Sequence, residues 1–177
     1  VFFVKPNNCL LRSGPIPVST HIGEVHHEVE CVIRLNQFAQ PEAIAVGLDL
    51  TDRLTQGELR SEQLPWTKGK CFRGSAYVGG FTEWNHSLDS LIDEAHGLKL
   101  NLWVNGRLVQ SAPLSEMTIT PTAQIEDLLT WAPISAGDYL FTGTPAGVGQ
   151  LYPKALLCAT LEANDGEILS SIETNCC

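Results

Sequence analysis

The stretch VHHEVECVIRL, residues 25 to 35, sets Glu28 and Glu30 into an otherwise apolar, β-branched run. Side chains alternate across a strand, so His26, Glu28 and Glu30 share one face while His27, Val29 and Cys31 share the other. At about 3.3 Å of rise per residue the two carboxylates start about 7 Å apart, close enough to share one ion. Like charges on one half-buried face repel, and a structure that keeps both ionised supplies a cation. A solvent-exposed face is the plain alternative for any Glu-x-Glu strand. A third acid shifts the balance: Asp49 closes a second strand-like run, AIAVGLDL at residues 43 to 50, and an acid where a buried strand ends faces a cleft. Glu28, Glu30 and Asp49, with no accompanying thiolate, describe an oxygen-ligand site for Mg2+, Mn2+ or Ca2+ rather than for zinc. His26 reads as a partner of these acids rather than as a ligand.

The segment after Asp49 extends the cluster. Thr51 to about Gln63 reads as a helix, with Thr51 or Asp52 as N-cap and a stop before Pro65. Arg53 and Gln56 then stand four and seven residues beyond Asp49, on the aspartate's own face. A carboxylate, a guanidinium and an amide converging on one pocket suit a substrate that carries a carboxylate beside a carbonyl. Taken alone, Arg53 reads as a solvated helix salt bridge and Lys70 as a surface lysine. Yet Lys70, in PWTKGKCF at residues 65 to 72, lies in a segment too aromatic for a free loop, and Lys68 is the better solvated lysine. FTGTPAGVG, residues 141 to 149, leaves a strand for a tight loop whose N–H groups and Thr144 hydroxyl suit an anion or oxyanion. No Gly-Lys-Ser/Thr follows, so it is not a nucleotide-binding P-loop.

Around these pieces the chain reads as β-rich α+β, without repeats or an internal linker. VFFVKP at residues 1 to 6 reads as a strand and RSGPIPVST at 12 to 20 as a loop. LKLNLWVNGRLVQ is a hairpin turned at Asn105-Gly106, a pair that supplies the positive φ angles of a type I′ turn. ALLCATLEANDGEILSSIE is a second hairpin, turned at Asp165-Gly166. Between them TPTAQIEDLLTW has Ile125, Leu128 and Leu129 at helical spacing.

Composition bounds the partners. A chain of 177 residues with 44% hydrophobic content can bury a sizeable core. A net charge of −9, from 20 acidic against 11 basic residues, argues against nucleic acid and against an anionic membrane face. No apolar run approaches the roughly 20 residues of a membrane span. The six cysteines show no CxxC spacing and read as free thiols of a reducing compartment. The first residue is Val1, which suggests that further sequence precedes it.

In order, VFFVKP, VHHEVE, LDLTDRLTQ, LPWTKGKCF, LWVNGRLVQ and TGTPAGVG resemble the fumarylacetoacetate hydrolase family over nearly the full chain, specifically its small members of the acylpyruvase, oxaloacetate decarboxylase and hydroxyhepta-dienedioate isomerase type. The resemblance implies a mixed β-sheet roll with few short helices, residues 1–177 forming one catalytic domain. It implies Mg2+ or Mn2+ on the acids matching Glu28, Glu30 and Asp49, and substrate contacts at Arg53, Gln56, Lys70 and Thr144. Lys70 and Thr144 would also serve catalysis, the lysine as carboxylate holder or proton relay and the threonine loop as oxyanion site. The substrate would be a small anionic α-keto acid, handled through a metal-stabilised enolate by a cytoplasmic homodimer of the kind found in aromatic compound catabolism. The water-activating His and Glu of the family's hydrolases lie upstream of its FFVKP segment, and this chain begins after that point. Decarboxylation or isomerisation is thereby expected ahead of C–C hydrolysis, with a silent ligand-binding paralogue as the rival. Three local departures stand out. The Glu30–Asp49 connection is shorter than the family's by about a helix, Leu54 replaces a common aspartate, and Cys71 a common serine.

Overall fold

The computed structural model describes residues Val1–Cys177. The first half contains β1 (Leu10–Leu11), β2 (Val25–His27), β3 (Val29–Leu35), β4 (Pro41–Asp49) and β5 (Thr51–Asp52), then α1 (Arg53–Ser61), α2 (Thr67–Lys70), β6 (Ala76–Val78) and β7 (Thr82–Glu83). The second half contains β8 (Lys99–Val104), β9 (Arg107–Pro113), α3 (Pro121–Leu128), β10 (Tyr139–Phe141), β11 (Gly149–Gln150), β12 (Leu156–Glu162) and β13 (Ile168–Asn175). Short 3-10 turns occupy Asn7–Cys9, Asp89–Ile92 and Leu114–Glu116.

The strands form a curled, mixed β structure. A six-stranded sheet runs in the order β1-β6-β4-β3-β10, with β7 also on β4. Only β1 and β6 pair in parallel; β4 runs antiparallel to both β3 and β6. A four-stranded sheet, β13-β12-β8-β9, packs against it, and β11-β2-β5 makes a small third sheet. The core lies between the two large sheets. Val29, Cys31, Ile33 and Leu35 of β3 alternate inward, as do Ile44, Val46 and Leu48 of β4, and they meet Leu100, Leu102, Leu157 and Leu161. Burying each such side chain contributes roughly 1.5 to 3 kcal/mol, which fixes the register that sends Glu30 to the other face.

Both hairpins form as their turns require. Asn105 and Gly106 have φ of 51° and 76°, and Gly166 has 83°. The TPTAQIEDLLTW helix forms as α3, capped by Thr120, whose hydroxyl accepts from Ala123 N–H at 3.2 Å.

Three expectations change. Residues 1 to 6 make no strand: the edge of the large sheet is instead Leu10–Leu11, and the first residues drape across the pocket described below. The helix after Asp49 starts later than Thr51, because Thr51 and Asp52 pair with His26 and Val25 as β5. Asp52 is the cap, its side chain accepting from Thr55 N–H at 3.0 Å. The VHHEVECVIRL run is broken at Glu28, where the chain leaves β4 to pair with β5 and β11, a corner of the kind made when a strand switches sheets. Residues 36 to 40 join β3 to β4 in a tight turn, in which Asn36 accepts backbone N–H bonds from Phe38 and Gln40.

Candidate active site

The corner at Glu28 explains how two acids from one run meet a third. Glu28 is still tied to β4, its carbonyl accepting Asp49 N–H at 2.9 Å. Glu30 sits opposite Gly47, one inward–outward alternation from Asp49. Carboxylate oxygens of Glu28, Glu30 and Asp49, one from each, all lie within 4.8 Å of one another, and all three residues are buried. Such crowding is paid for electrostatically by cations. Lys70, at the end of α2, donates all three of its N–H bonds inward: to Glu28 Oε2 at 2.8 Å, Asp49 Oδ2 at 2.5 Å and Thr51 Oγ1 at 2.7 Å. Burial pulls the Lys70 pKa down, but Asp49 and Glu28 outweigh it and the net shift is upward, so the ammonium keeps its proton. The sequence reading placed Lys70 beside the substrate; in this structure its hydrogen bonds go to two of the acids and to Thr51.

Lys5 is the member that sequence reasoning missed. Its Nζ donates to the carbonyls of Leu50 and Ser75 at 3.0 and 2.7 Å and lies 2.7 Å from Asp49 Oδ1. The ion pair is close but misaligned for a hydrogen bond, and Asp49 Oδ1 is a buried oxygen without a hydrogen-bond partner. Burial dominates at Lys5 and lowers its pKa despite Asp49, so two lysines on one carboxylate are driven in opposite directions. A lysine wedged between an aromatic pair and a proline in VFFVKP was the available signal.

Glu30 is the acid with the least cationic help. Burial, then the Asp49 charge, push its pKa up to about 8, against one backbone bond from Gly143 N–H at 2.7 Å. At neutral pH it therefore keeps its proton unless a cation takes the proton's place. The first N–H of the glycine loop is thus taken by the protein's own Glu30 carboxyl.

Arg53 and Gln56 do converge on the acids, though Asp49 is on a strand and not on their helix. Arg53 is the first residue of α1, where a cation opposes the helix dipole. The offset is its ion pair with Glu28 through Nη2, while Nη1 donates to Gln56 Oε1 at 2.6 Å. The Gln56 amide nitrogen is left to donate elsewhere. His26 is not part of this network; it lies 3.8 Å from Glu24 at the rim.

Thr144 is positioned by a residue the sequence did not flag. Gln110 on β9 is 1% exposed and uses both ends of its amide. Its oxygen accepts Val29 N–H at 3.1 Å and lies 2.9 Å from His27 Nδ1; its nitrogen donates to Thr144 Oγ1 and to Pro145 O, both at 2.9 Å. One side chain thus ties the corner at Glu28 to the Thr144 loop. Because Thr144 Oγ1 accepts that bond, its own hydroxyl hydrogen is free to point into the pocket. The loop reaches Gln110 through Gly147, whose φ is 103° and whose missing Cβ would lie 2.1 Å from Val109 O. An amide at an inward position of an alternating strand was the signal for Gln110.

The three acids share one cavity, of about 1810 Å3, with Lys5, Arg53, Gln56, Lys70 and Thr144. The donor set fits a hard divalent ion: carboxylate oxygens from two strands, no sulfur, and a buried Asp49 oxygen without a hydrogen bond.

A clustered-carboxylate site at the end of a curled mixed sheet defines a class of enzyme, and the comparisons give the family. The model of the fumarylacetoacetate (FAA) hydrolase C-terminal domain matches residues 1–170, and the chain belongs to the fumarylacetoacetate hydrolase family of enzymes. It is 33% identical over 160 residues to the mitochondrial oxaloacetate tautomerase FAHD1 of Rattus norvegicus, covering 84% of this chain and 70% of the relative. It is 32% identical over 176 residues to the oxaloacetate tautomerase YcgM of Escherichia coli, covering 93% of this chain and 78% of the relative. Among solved structures, a candidate fumarylacetoacetate isomerase/hydrolase of Oleispira antarctica superposes with a TM-score of 0.90 at 28% identity, over 100% of this chain and 82% of the other. No helix of the chain is long and apolar enough to cross a membrane.

Proposed function

We propose that the chain is a divalent-metal-dependent enzyme that interconverts the keto and enol forms of small 2-oxo dicarboxylates of the oxaloacetate type. The observation that carries this reading is the convergence of Glu28, Glu30 and Asp49 beside a buried Lys70, in the cavity that also holds Arg53, Gln56 and Thr144. Oxaloacetate tautomerase is the name of the relatives in rat and Escherichia coli, which supports the substrate class. Mg2+ or Mn2+ held by Glu28, Glu30 and Asp49 would supply Lewis acidity to the 2-oxo acid end of the substrate.

The chain's own residues account for the rest. Arg53, with a side chain 34% exposed, turns its remaining N–H groups to the substrate carboxylate, and the Gln56 amide donates beside it. Thr144 Oγ donates its free hydrogen bond to the 2-oxo oxygen on which charge develops, while solvent water in the open cavity takes the C3 proton and returns a proton to that oxygen to give the enol. Lys70 holds its proton on Nζ and stays a fixed cation beneath the site. No substrate bond to carbon or oxygen is hydrolysed in this exchange. Decarboxylation draws on the same placement, since loss of CO2 leaves its electron pair on the substrate as an enolate, which then takes up a proton from solvent.

The test is to follow the enol absorbance of oxaloacetate with Mg2+-loaded protein. Faster equilibration, abolished by a chelator and by Arg53→Ala, is expected; a rate equal to that of Mg2+ alone would refute the reading. A second reading, a ligand-binding protein without turnover, is favoured by one observation: Lys70 and Lys5 already neutralise Glu28 and Asp49. Stoichiometric metal uptake with no rate enhancement would establish it.

A further inference from the structure

Cys71 follows Lys70 directly and Cys9 comes shortly after Lys5, so each lysine on the acids carries a cysteine close behind it. The fold brings these two cysteines together. With Pro6, Asn8, Phe72 and Arg73 they line a second, smaller cavity of about 450 Å3. Both thiols are free, and Cys9 acts on Cys71 as a hydrogen-bond partner, which sets the two sulfurs side by side. The backbone on each side is held. Cys9 is buried, its N–H donates to Pro6 O at 2.8 Å, and the next residue, Leu10, pairs with Ala76. Cys71 is half-buried at the end of α2, with its N–H on Thr67 O at 2.7 Å.

Cys71 has a second partner. Its Sγ donates to the carbonyl of Val4 at 2.9 Å. Residues 1 to 5 line the large cavity that holds the acids, and none of them makes a main-chain hydrogen bond to the rest of the molecule. Their polar ties are the contacts of Lys5, the Phe3 ring 4.7 Å from Lys70 Nζ, and the Cys71 thiol. A thiol carries one hydrogen, so the bond to Val4 exists only while Cys71 is reduced.

We propose that Cys9 and Cys71 are a reversible disulfide site, and that closing it unlatches Val4 and loosens the segment lying over the large cavity. The oxidant is a low-molecular-weight disulfide. The Cys71 thiolate attacks one of its sulfurs and expels the first small thiolate; the Cys9 thiolate then attacks the Cys71 sulfur of the mixed disulfide and expels the second. Two electrons pass from the protein thiols to the small disulfide, whose S–S bond breaks as the protein's forms, and the two thiol protons end on the departing thiolates. Burial first, and then Cys9, hold the Cys71 thiol above its ordinary value, so the exchange is slow at neutral pH and quickens above it. The site is independent of which 2-oxo acid, if any, the large cavity turns over.

Folded protein is incubated with oxidised glutathione at alkaline pH, digested without reduction and mapped by mass. A Cys9–Cys71 linked peptide that dithiothreitol removes is expected from wild type, and none from Cys9→Ser or Cys71→Ser. Brief chymotrypsin treatment of the undigested protein then reads the latch through cleavage at Phe2 and Phe3. Cleavage should rise about two- to tenfold on oxidation of wild type, the scale of one lost hydrogen bond. Reduced Cys71→Ala should show the same rise, whereas Cys71→Ser, whose hydroxyl still donates to Val4, should stay near the reduced wild-type rate in either buffer. Thiols that stay free, or that end only as separate glutathione adducts on folded wild type, overturn the disulfide site. A linked peptide with unchanged cleavage, or Cys71→Ala cleaved as slowly as reduced wild type, overturns the latch.

Discussion

In the four-stranded sheet, β8 and β9 are joined by Asn105-Gly106 and β12 and β13 by Asp165-Gly166, and each strand pairs with its chain neighbour across a tight turn. At the acid end of the large sheet, Lys5, Glu28, Asp49, Arg53 and Lys70 come from separate segments and touch only after the sheet has closed. The first region is stabilised by local pairing and apolar burial, and no ion pair of the molecule joins two of its strands. The second holds charges that would repel or strand one another if any member left. A substitution in the hairpins should therefore cost stability alone, while one at the acids should cost stability and ion binding together. Gln110 joins the regions, being rooted in a hairpin and bonded to the corner at Glu28.

The largest effect is expected at Lys70. Lys70→Met leaves Glu28 and Asp49 buried without their cation, and removing one partner of a buried pair costs about 3 to 5 kcal/mol. Urea unfolding of metal-free protein reads this directly; a loss under about 1 kcal/mol would mean that the acids do not depend on the lysine. Gln110→Ala comes next, at about 1 to 3 kcal/mol, because it strands buried donors and acceptors on both the corner and the loop. It should also lower oxaloacetate turnover through the displaced Thr144, which a purely structural role in the hairpin would not do.

Asn105→Ala sharpens the contrast from the other side. At its φ of 51° the short polar side chain of asparagine eases a left-handed conformation that costs other residues about 1 to 2 kcal/mol, and alanine loses both that relief and the bond from Leu156 N–H to the side chain at 2.9 Å. Stability should fall while Mn2+ affinity is unchanged; a parallel fall in affinity would dissolve the distinction between the regions. The smallest effect concerns His27. Burial first, partly opposed by Gln110, lowers its pKa below the ordinary 6.5, so the folded protein favours the neutral ring. Stability from this group is present above about pH 6.5 and is lost as pH falls through the lowered value. Chemical denaturation of wild type and His27→Gln between pH 5 and 7.5 should show a shallower acid decline in the variant, and equal slopes would assign the decline elsewhere.

What could be read from the sequence follows the same division. Both hairpins were legible because their turn residues and alternation are local, and so was the acid trio, because Glu28 and Glu30 sit in an otherwise apolar run. Helical spacing named Arg53 and Gln56 for the wrong reason: Asp49 ends β4, and the three meet through the β5 corner. The aromatic pair and proline that flank Lys5 in VFFVKP hint at burial but do not name its partners, the carbonyls of Leu50 and Ser75, 45 and 70 residues away. Gln110 is likewise defined by contacts 81 to 83 residues distant on one side and 34 to 35 on the other.

The account stands on Glu28, Glu30 and Asp49 acting as one ion site, and calorimetric titration of Mn2+ into wild type and Asp49→Asn tests that most directly. One Mn2+ per chain in the wild type and loss of most of that affinity in Asp49→Asn is the predicted result. Uptake that is equal in both proteins, or absent from folded wild type at millimolar Mn2+, would contradict it and leave the acids as counter-charges for Lys70 and Lys5.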